Sequence, residues 1–288
     1  MECAEFAERT GSTRHVIPVD ASGRLDPDAL ARALASGLSV LSVLWVNNET
    51  GMILAVDELQ ELVRASGAVL HVDGVQAIGK ISVDLRITPL DVLVLTGHKL
   101  GGPTGTGAIV LRAGVRLQPL LHGGKQEGGL RPGTEDVAGA VGLAAAVDLA
   151  VRGQPHAAMH MEDLRNHLED ALTRSCPDLT IHCKQARRAP HISNLGFPGV
   201  PRDVLLAGLD LECVAVSGGS ACSSGSVTQS RVIKALYGED YQAAAVRFSL
   251  APSTRQSEVD IAVERTQAVL VRFDHEKYGM AAAKDSPT

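Results

Sequence analysis

The chain has 288 residues, of which 45% are hydrophobic, and its formal net charge is -6. This length and composition are sufficient to bury one large core or two modest ones. The acidic balance argues against nucleic-acid binding as the main role. No apolar run reaches the ~20 residues that span a bilayer, and the first residues lack the basic and apolar regions of a secretion signal. We therefore expect neither a nucleic-acid partner nor a membrane partner.

The first half of the chain alternates strand and helix signals. Strands are predicted over 41–46, 68–72, 91–95 and 108–111, and a helix over 57–65. This rhythm predicts an α/β sheet covered by helices. Ligands collect at the carboxyl ends of the strands in such sheets, so polar residues just after a strand are candidate site residues. They are Asn47, Asn48, Asp73, Gln76, Thr96, His98 and Lys99.

The second half contains shorter elements and indicates a smaller α+β domain. Helices are predicted over 136–151, 159–172, 204–209 and 257–273, and strands over 179–183, 192–197, 213–216 and 246–250. Residues 152–155, with their glycine and proline, are the best boundary candidate. We therefore expect a large domain over 1–152, a small C-terminal domain over 153–275 and a frayed tail over 276–288.

Lys99 and Asp73 carry the strongest chemical signal. Lys99 follows an apolar strand and precedes a glycine-rich bend, so it is not expected to be an ordinary solvated lysine. Such an amine suits a Schiff base with an aldehyde cofactor. Asp73 ends another strand, where a carboxylate can hold a pyridinium nitrogen protonated. The pair predicts pyridoxal 5'-phosphate (PLP).

Each of these signals has an ordinary interpretation when it is taken alone. An aspartate after a strand is most often a turn or helix cap. His98 alone is more typical of a structural histidine. The glycines of 101–107 are equally consistent with a tight turn, and the segment lacks the Gly-Lys-Ser/Thr ending of a Walker loop.

Cysteine usage points to a reducing compartment. The five cysteines are scattered and include no Cys-x-x-Cys pair: Cys3, Cys176, Cys183, Cys213 and Cys222. Free thiols and a cytoplasmic location are expected. Cys222 lies among Gly, Ser and Ala in 217–226, which predicts an exposed, mobile loop and a candidate nucleophile. The alternative is an incidental cysteine in a flexible loop.

Arg247 is the one charged residue within the apolar strand predicted over 246–250. A buried arginine needs an anionic partner. That partner is either the α-carboxylate of an amino-acid substrate, held by two parallel hydrogen bonds, or a carboxylate of the chain itself. The residues alone leave both alternatives open.

Six segments, in register over 1–273, together resemble the cysteine desulfurases of the class V aminotransferase group. They are 46–51, 71–76, 97–99, 131–135, 217–222 and 247–250. The resemblance implies a PLP-dependent transferase of fold type I, with a mixed, mostly parallel sheet in the large domain. It also implies that relatives carry a further N-terminal segment, with a phosphate-binding turn and a ring-stacking histidine. The chain is therefore expected to be N-terminally truncated relative to them.

The same resemblance assigns roles to the cofactor-binding residues. It implies that Lys99 bonds covalently to the cofactor and that Asp73 pairs with its pyridine nitrogen. Gln76 and Asn48 are expected near the phenolic oxygen of the ring. Other residues are assigned to the phosphate: Thr96, His98 and, in the site of a neighbouring subunit, Thr134. The last role implies a homodimer.

The resemblance further implies the reaction. Lys99, Cys222 and His98 form the expected catalytic set, and Asn48 and Arg247 bind the substrate, L-cysteine. Cys222 takes the sulfur as a persulfide, and L-alanine is released. A sulfur acceptor or iron–sulfur scaffold protein is the expected partner, with Cys222 as a transient metal ligand through its persulfide. Two alternatives are a selenocysteine lyase-like enzyme and a non-catalytic remnant that binds a paralogue or a sulfur-transfer partner.

Overall fold

Two separate sheets organise the chain in the computed structural model. The structure describes residues 2–219 and 230–282, the side chains of 274–282 excepted. The helices are α1 (Glu2–Arg9), α2 (Pro27–Ala35), α3 (Val56–Ser66), α4 (Val137–Ser175), α5 (Arg202–Leu211), α6 (Arg231–Tyr237) and α7 (Gln256–Ala282). The strands are β1 (Val40–Leu44), β2 (Val69–Asp73), β3 (Val92–Thr96), β4 (Gly107–Leu111), β5 (Thr180–Ile181), β6 (Ile192–Phe197) and β7 (Ala244–Ser249).

The first sheet has the order β1-β2-β3-β4. The first three strands are parallel and β4 is antiparallel to β3. Leu44 pairs with Asp73, and Asp73 pairs with Val94, so the carboxyl ends of the parallel strands lie at one edge. The predicted α/β class with a mixed, mostly parallel sheet is confirmed. This edge is where the site residues of the first half converge.

Helix α3 shows how local sequence builds this domain. Its residues Leu59 and Val63, four positions apart, are buried in the core beneath the sheet. Gly67 ends the helix with a φ of 80°, a conformation that glycine adopts without steric cost. Leu70 and Val72 of β2 are fully buried in the same core. The short Gly67 connection thus returns the chain directly into β2.

The second sheet has the order β5-β6-β7 and is antiparallel. Every residue of β6 is buried, and Leu195 and Phe197 belong to a second core. Leu168 and Leu172 of α4 complete that core from the helical side. The two cores agree with a large and a small domain, and the proposed division at 152/153 stays a prediction.

Helix α4 passes through the expected boundary without ending. Pro155 lies inside it, where the missing N–H removes one helical hydrogen bond. The helix continues because both halves are packed, the first beside Gly97 and Gly102 and the second in the core of the second sheet. Only Gly139 and Ala146 are buried before the proline, whereas seven residues after it are buried. The expectation of two separate helices, over 136–151 and 159–172, is therefore wrong, since packing at both ends overrides the local breakers.

Several other expectations differ from the structure. Residues 213–216 form no strand, and only Ser217 makes an isolated bridge, to Arg247. Helices α1, α2 and α6 were not expected. Helix α7 runs on to Ala282 instead of ending near 273, and residues 283–288 of the expected tail lie outside the described residues.

The first half of α4 presents an apolar stripe to solvent. Val137, Val141 and Leu149 are 68%, 65% and 71% exposed and lie four and eight positions apart. By length and composition alone, α4 is also apolar enough to cross a membrane. The exposed stripe indicates a contact surface.

Candidate active site

Asp73 lies at the carboxyl edge of the first sheet, as predicted. Its Oδ1 accepts the main-chain N–H of Val75 at 2.9 Å, and its carbonyl accepts that of Trp45 at 2.9 Å. The first bond is the turn cap that the ordinary interpretation predicts. Within the described ranges no partner contacts Oδ2. The carboxylate can therefore cap the turn and still accept a proton-bearing ring nitrogen.

Lys99 ends a short 3-10 helix, Gly97–Lys99, that follows β3 directly. Gly97 closes this bend, because its carbonyl accepts from both Leu100 and Gly102 at 2.8 and 2.9 Å. A Cβ on Gly97 would lie 2.8 Å from the Pro103 carbonyl oxygen and closer still to the Thr106 hydroxyl. The Lys99 side chain is exposed. The expectation of a lysine shielded from solvent is therefore wrong for this structure, although the tight bend is present.

Thr96 and His98 lie together where this bend begins, at the end of β3. The Thr96 hydroxyl donates to the Thr106 carbonyl at 3.0 Å, and it lies 3.0 Å from His98 Nδ1. Since the hydroxyl proton is already used, Nδ1 of His98 is assigned as the donor to Thr96 Oγ1. His98 Nε2 is thereby left for other partners on an exposed side chain.

Arg247 joins the two domains. It lies on β7, and its Nη1 donates to the Asn48 carbonyl oxygen at 2.8 Å, just beyond β1. Its Nε is buried and has no partner in the part of the chain that the structure describes. Burial lowers the pKa of Arg247, and the charge of Glu49 partly opposes that effect. Glu49 is thus a nearby carboxylate of the chain itself, and the buried Nε–H of Arg247 can still donate to an external carboxylate.

Residues of the second sheet also hold the loop that contains Asn48. Asn47 Oδ1 accepts the N–H groups of Glu49 and Thr50 at 2.9 and 3.0 Å. From β6, Asn194 Nδ2 donates to the Glu49 carbonyl at 3.0 Å. Asn194 is itself fixed, because its Oδ1 lies 2.6 Å from Nδ1 of the buried His182. The loop thus has one defined conformation, set from both domains.

Gln76 meets a residue that the sequence did not single out. Its Oε1 lies 3.0 Å from Nε2 of His191, which immediately precedes β6. Burial, and then the charges of nearby cationic side chains, lower the pKa of His191 to about 3. The only sequence signal was a histidine bordering an apolar strand, which is far too common to indicate a site.

Lys80 is a second residue that sequence reasoning missed. Its Nζ donates to the Lys99 carbonyl oxygen, and its own carbonyl accepts from Gln154 of α4 at 3.3 Å. Burial and the charge of Lys99 lower the pKa of Lys80 to about 8. A lysine after a glycine in a turn carries no distinctive pattern. Its role depends on a contact made 19 residues along the chain.

Of the predicted site residues, Thr134 is not brought to this edge in the described structure, and Cys222 falls outside the described residues. Thr134 is exposed in the loop before α4, and no described contact joins it to the other site residues. Cys222 lies in 220–229, outside the described residues, so its expected loop and metal role stay predictions. Within the described residues, no group of three or more His, Cys, Asp or Glu side chains could hold a metal ion.

The site combines the Asp73 carboxylate, the bend that contains Lys99 and an arginine, Arg247, from the smaller sheet. These features define a class of enzyme. They are the arrangement expected for PLP-dependent transferases of fold type I. Residues 1–261 match the aminotransferase class-V family. The chain belongs to that family.

Two relatives within this family are cysteine desulfurases. The chain is 38% identical over 273 residues to a cysteine desulfurase of Gluconacetobacter diazotrophicus, covering 94% of this chain and 68% of the relative. It is 36% identical over 275 residues to the cysteine desulfurase NifS of Azotobacter vinelandii, and the match covers 95% of this chain and 68% of the relative. The chain thus spans about two thirds of the length of these relatives.

Solved structures agree with this assignment. A NifS-like protein superposes with a TM-score of 0.84 at 30% identity, covering 94% of this chain and 71% of that chain. A NifS-like protein from Rickettsia africae ESF-5 superposes with a TM-score of 0.80 at 26% identity, and the match covers 88% of this chain and 69% of that chain. The predicted fold type is confirmed.

Proposed function

We propose that this chain acts as a PLP-dependent cysteine desulfurase that converts L-cysteine to L-alanine and delivers the sulfur to a protein acceptor. The observation that carries the proposal is the half-buried Arg247, which reaches the Asn48 loop while its buried Nε has no described partner. A guanidinium in that state suits the carboxylate of an amino acid, because two parallel N–H donors match its two oxygens. The resemblance to named cysteine desulfurases supports the same substrate.

The residues at the sheet edge fit PLP. The Lys99 amine is exposed and available to the cofactor aldehyde, and Asp73 Oδ2 has no described partner that would compete for the ring nitrogen. His98 can donate to a phosphate through its exposed Nε2 in the doubly protonated ring, because the proton of the neutral ring is on Nδ1. Thr96 fits less directly, because its proton is donated to Thr106 and that bond must exchange before the hydroxyl serves a phosphate. When bound, PLP supplies an electron sink at the substrate α-carbon.

Side chains of the chain carry out substrate binding, proton transfer and sulfur transfer. Arg247 binds and orients the substrate carboxylate. The Lys99 amine, once released, accepts the α-proton at Nζ and later returns a proton to carbon. Asp73 keeps a proton on the ring nitrogen. The Cys222 thiolate attacks the substrate sulfur, an S–S bond forms, the C–S bond breaks, and the electron pair stays with carbon until protonation yields alanine.

The test is alanine formation from L-cysteine by the purified chain with added PLP. We expect turnover that Cys222→Ser abolishes while cofactor binding persists, and that Lys99→Ala abolishes together with the cofactor absorption band. Cys213→Ser, at an exposed cysteine elsewhere, is the matched control and should retain activity. Sulfur transfer that persists in Cys222→Ser would contradict the proposed role. Faster turnover of selenocysteine than of cysteine would favour the lyase alternative, and failure to bind PLP would favour the non-catalytic one.

A homodimer is part of the proposal. The apolar stripe of Val137, Val141 and Leu149 supports it, and Thr134, expected to serve a neighbouring site, lies just before that stripe. Sedimentation should show a dimer that Val141→Glu weakens. The equally exposed Val271→Glu on α7 should leave the dimer intact. We also propose a cytoplasmic location, on the scattered cysteines, to be tested by cell fractionation.

A further inference from the structure

His191 is held rigidly by the small domain while its ring reaches the large domain. It is 5% exposed, and its carbonyl accepts the N–H of Leu250 at 2.9 Å, at the end of β7. Its Nε2 lies 3.0 Å from Gln76 Oε1, a contact between residues 115 positions apart. The imidazole therefore has a fixed backbone on one side and a site residue on the other.

The hydrogen-bond chemistry assigns the tautomer of this ring. Gln76 Oε1 only accepts, so His191 Nε2 carries the proton and donates it. Nδ1 is then a bare lone pair in the neutral ring, and it has no partner within the described chain. Protonation at Nδ1 would create a second buried donor without an acceptor, which is costly.

The surroundings reinforce the neutral state. Four cationic side chains act on the ring, each from a different part of the fold: Lys80, Lys99, Arg247 and Arg165. Together with burial they lower the pKa of His191 to about 3. Because all four charges are positive, they disfavour a second proton on the ring. The opposite Gln76 orientation would place the ring proton on Nδ1, where no described acceptor lies.

We propose that neutral His191 is a positioning residue that holds the Gln76 amide with its oxygen toward the small domain and its NH2 group free to donate into the site. The consequence is directional. An amide that is free to flip presents a donor or an acceptor to a cofactor oxygen, whereas one anchored through Oε1 presents only donors. The proposal rests on the proposed function for the identity of the ligand, but the His191–Gln76 contact does not.

The first test therefore needs no cofactor. Nitrogen-15 NMR of the histidine-labelled full chain should show His191 as the Nε2–H tautomer, uncharged from pH 5 to 8. A Nδ1–H tautomer, or a charged ring near pH 6, would overturn the proposal. A wild-type chain that fails to bind PLP would instead refute the proposed function, and this measurement would still decide the contact.

The second test is a mutant cycle read by PLP binding. His191→Leu removes the donor and should weaken PLP binding about tenfold, the loss of roughly one net hydrogen bond. His191→Gln retains an N–H donor and should restore most of the affinity. In a Gln76→Ala background, His191→Leu should have little further effect. If His191→Leu still weakens PLP binding tenfold in the Gln76→Ala background, His191 only fills space. The same conclusion follows if His191→Gln folds with a normal melting temperature but does not restore PLP affinity.

Discussion

Arg247 Nη1 lies 2.8 Å from the Asn48 carbonyl oxygen, so a strand of the small domain is anchored to a loop of the large one. The two residues are 199 positions apart. The anchor leaves Nε free of described partners while the main chain of Arg247 is bridged to Ser217. The guanidinium is thus rigid and incompletely satisfied, which are the two properties that a substrate clamp requires.

Replacing Arg247 by lysine should raise the KM for L-cysteine by about 10- to 100-fold with a smaller change in kcat, because a point charge cannot form two parallel bonds to a carboxylate. Steady-state kinetics measure this split. Arg255→Lys, at an exposed arginine beside α7, is the control and should leave KM unchanged. An unaltered KM in Arg247→Lys would mean that the carboxylate binds elsewhere.

Gly97→Ala should destabilise the chain by about 2 kcal/mol, because the added methyl collides with the Pro103 carbonyl and the Thr106 hydroxyl. Displacement of the bend should also weaken PLP binding through Lys99. Gly153→Ala is the matched control, since a Cβ there meets nothing within 4 Å. That change should stabilise the chain by about 0.5–1 kcal/mol. Urea unfolding compares the two, and equal effects would contradict the steric argument.

Lys80 should make stability depend on pH in the alkaline range. Its pKa is lowered from 10.5 to about 8 in the folded chain. Between these values Lys80 binds more protons in the unfolded chain than in the folded one, so its contribution to stability rises with pH. Urea unfolding between pH 8 and 10.5 should show this rise in the wild type but less of it in Lys80→Met. Lys125→Met, at an exposed lysine, should retain it. The same dependence of the unfolding free energy on pH in the wild type and both variants would refute the lowered pKa of Lys80.

Glu169→Gln should destabilise the second core by about 3 kcal/mol, because it leaves Arg188 buried without its counter-charge. Glu169 bonds Arg188 at 2.6 and 2.8 Å and accepts from Ser193 at 2.8 Å, with both charged side chains at most 7% exposed. Chemical denaturation measures the loss. Glu258→Gln, in an exposed pair with Arg255, should change little. Comparable losses would show that burial does not strengthen the first pair.

Apolar runs predicted the strands of both sheets to within a few residues, and β6 matched its predicted range, 192–197. They failed at 213–216, where the apolar residues meet a core without a neighbouring strand to pair with. The proline and glycine signal at 152–155 did not end the helix, because the first half of α4 packs beside Gly97 and Gly102 and its second half packs in the second core. The roles of the predicted site residues stay predictions, Cys222 and Thr134 among them.

The sequence by itself determined where the strands end, and so which polar residues, Asp73, Thr96 and Lys99 among them, share one edge of a sheet. That follows from side-chain periodicity and glycine-permitted bends, which are local properties. Only the tertiary structure decided that His191 meets Gln76, that Lys80 bonds the Lys99 carbonyl and that Arg247 meets Asn48 instead of a carboxylate. These partners are remote along the chain, so their pairing depends on how the two cores pack together, which no local pattern encodes.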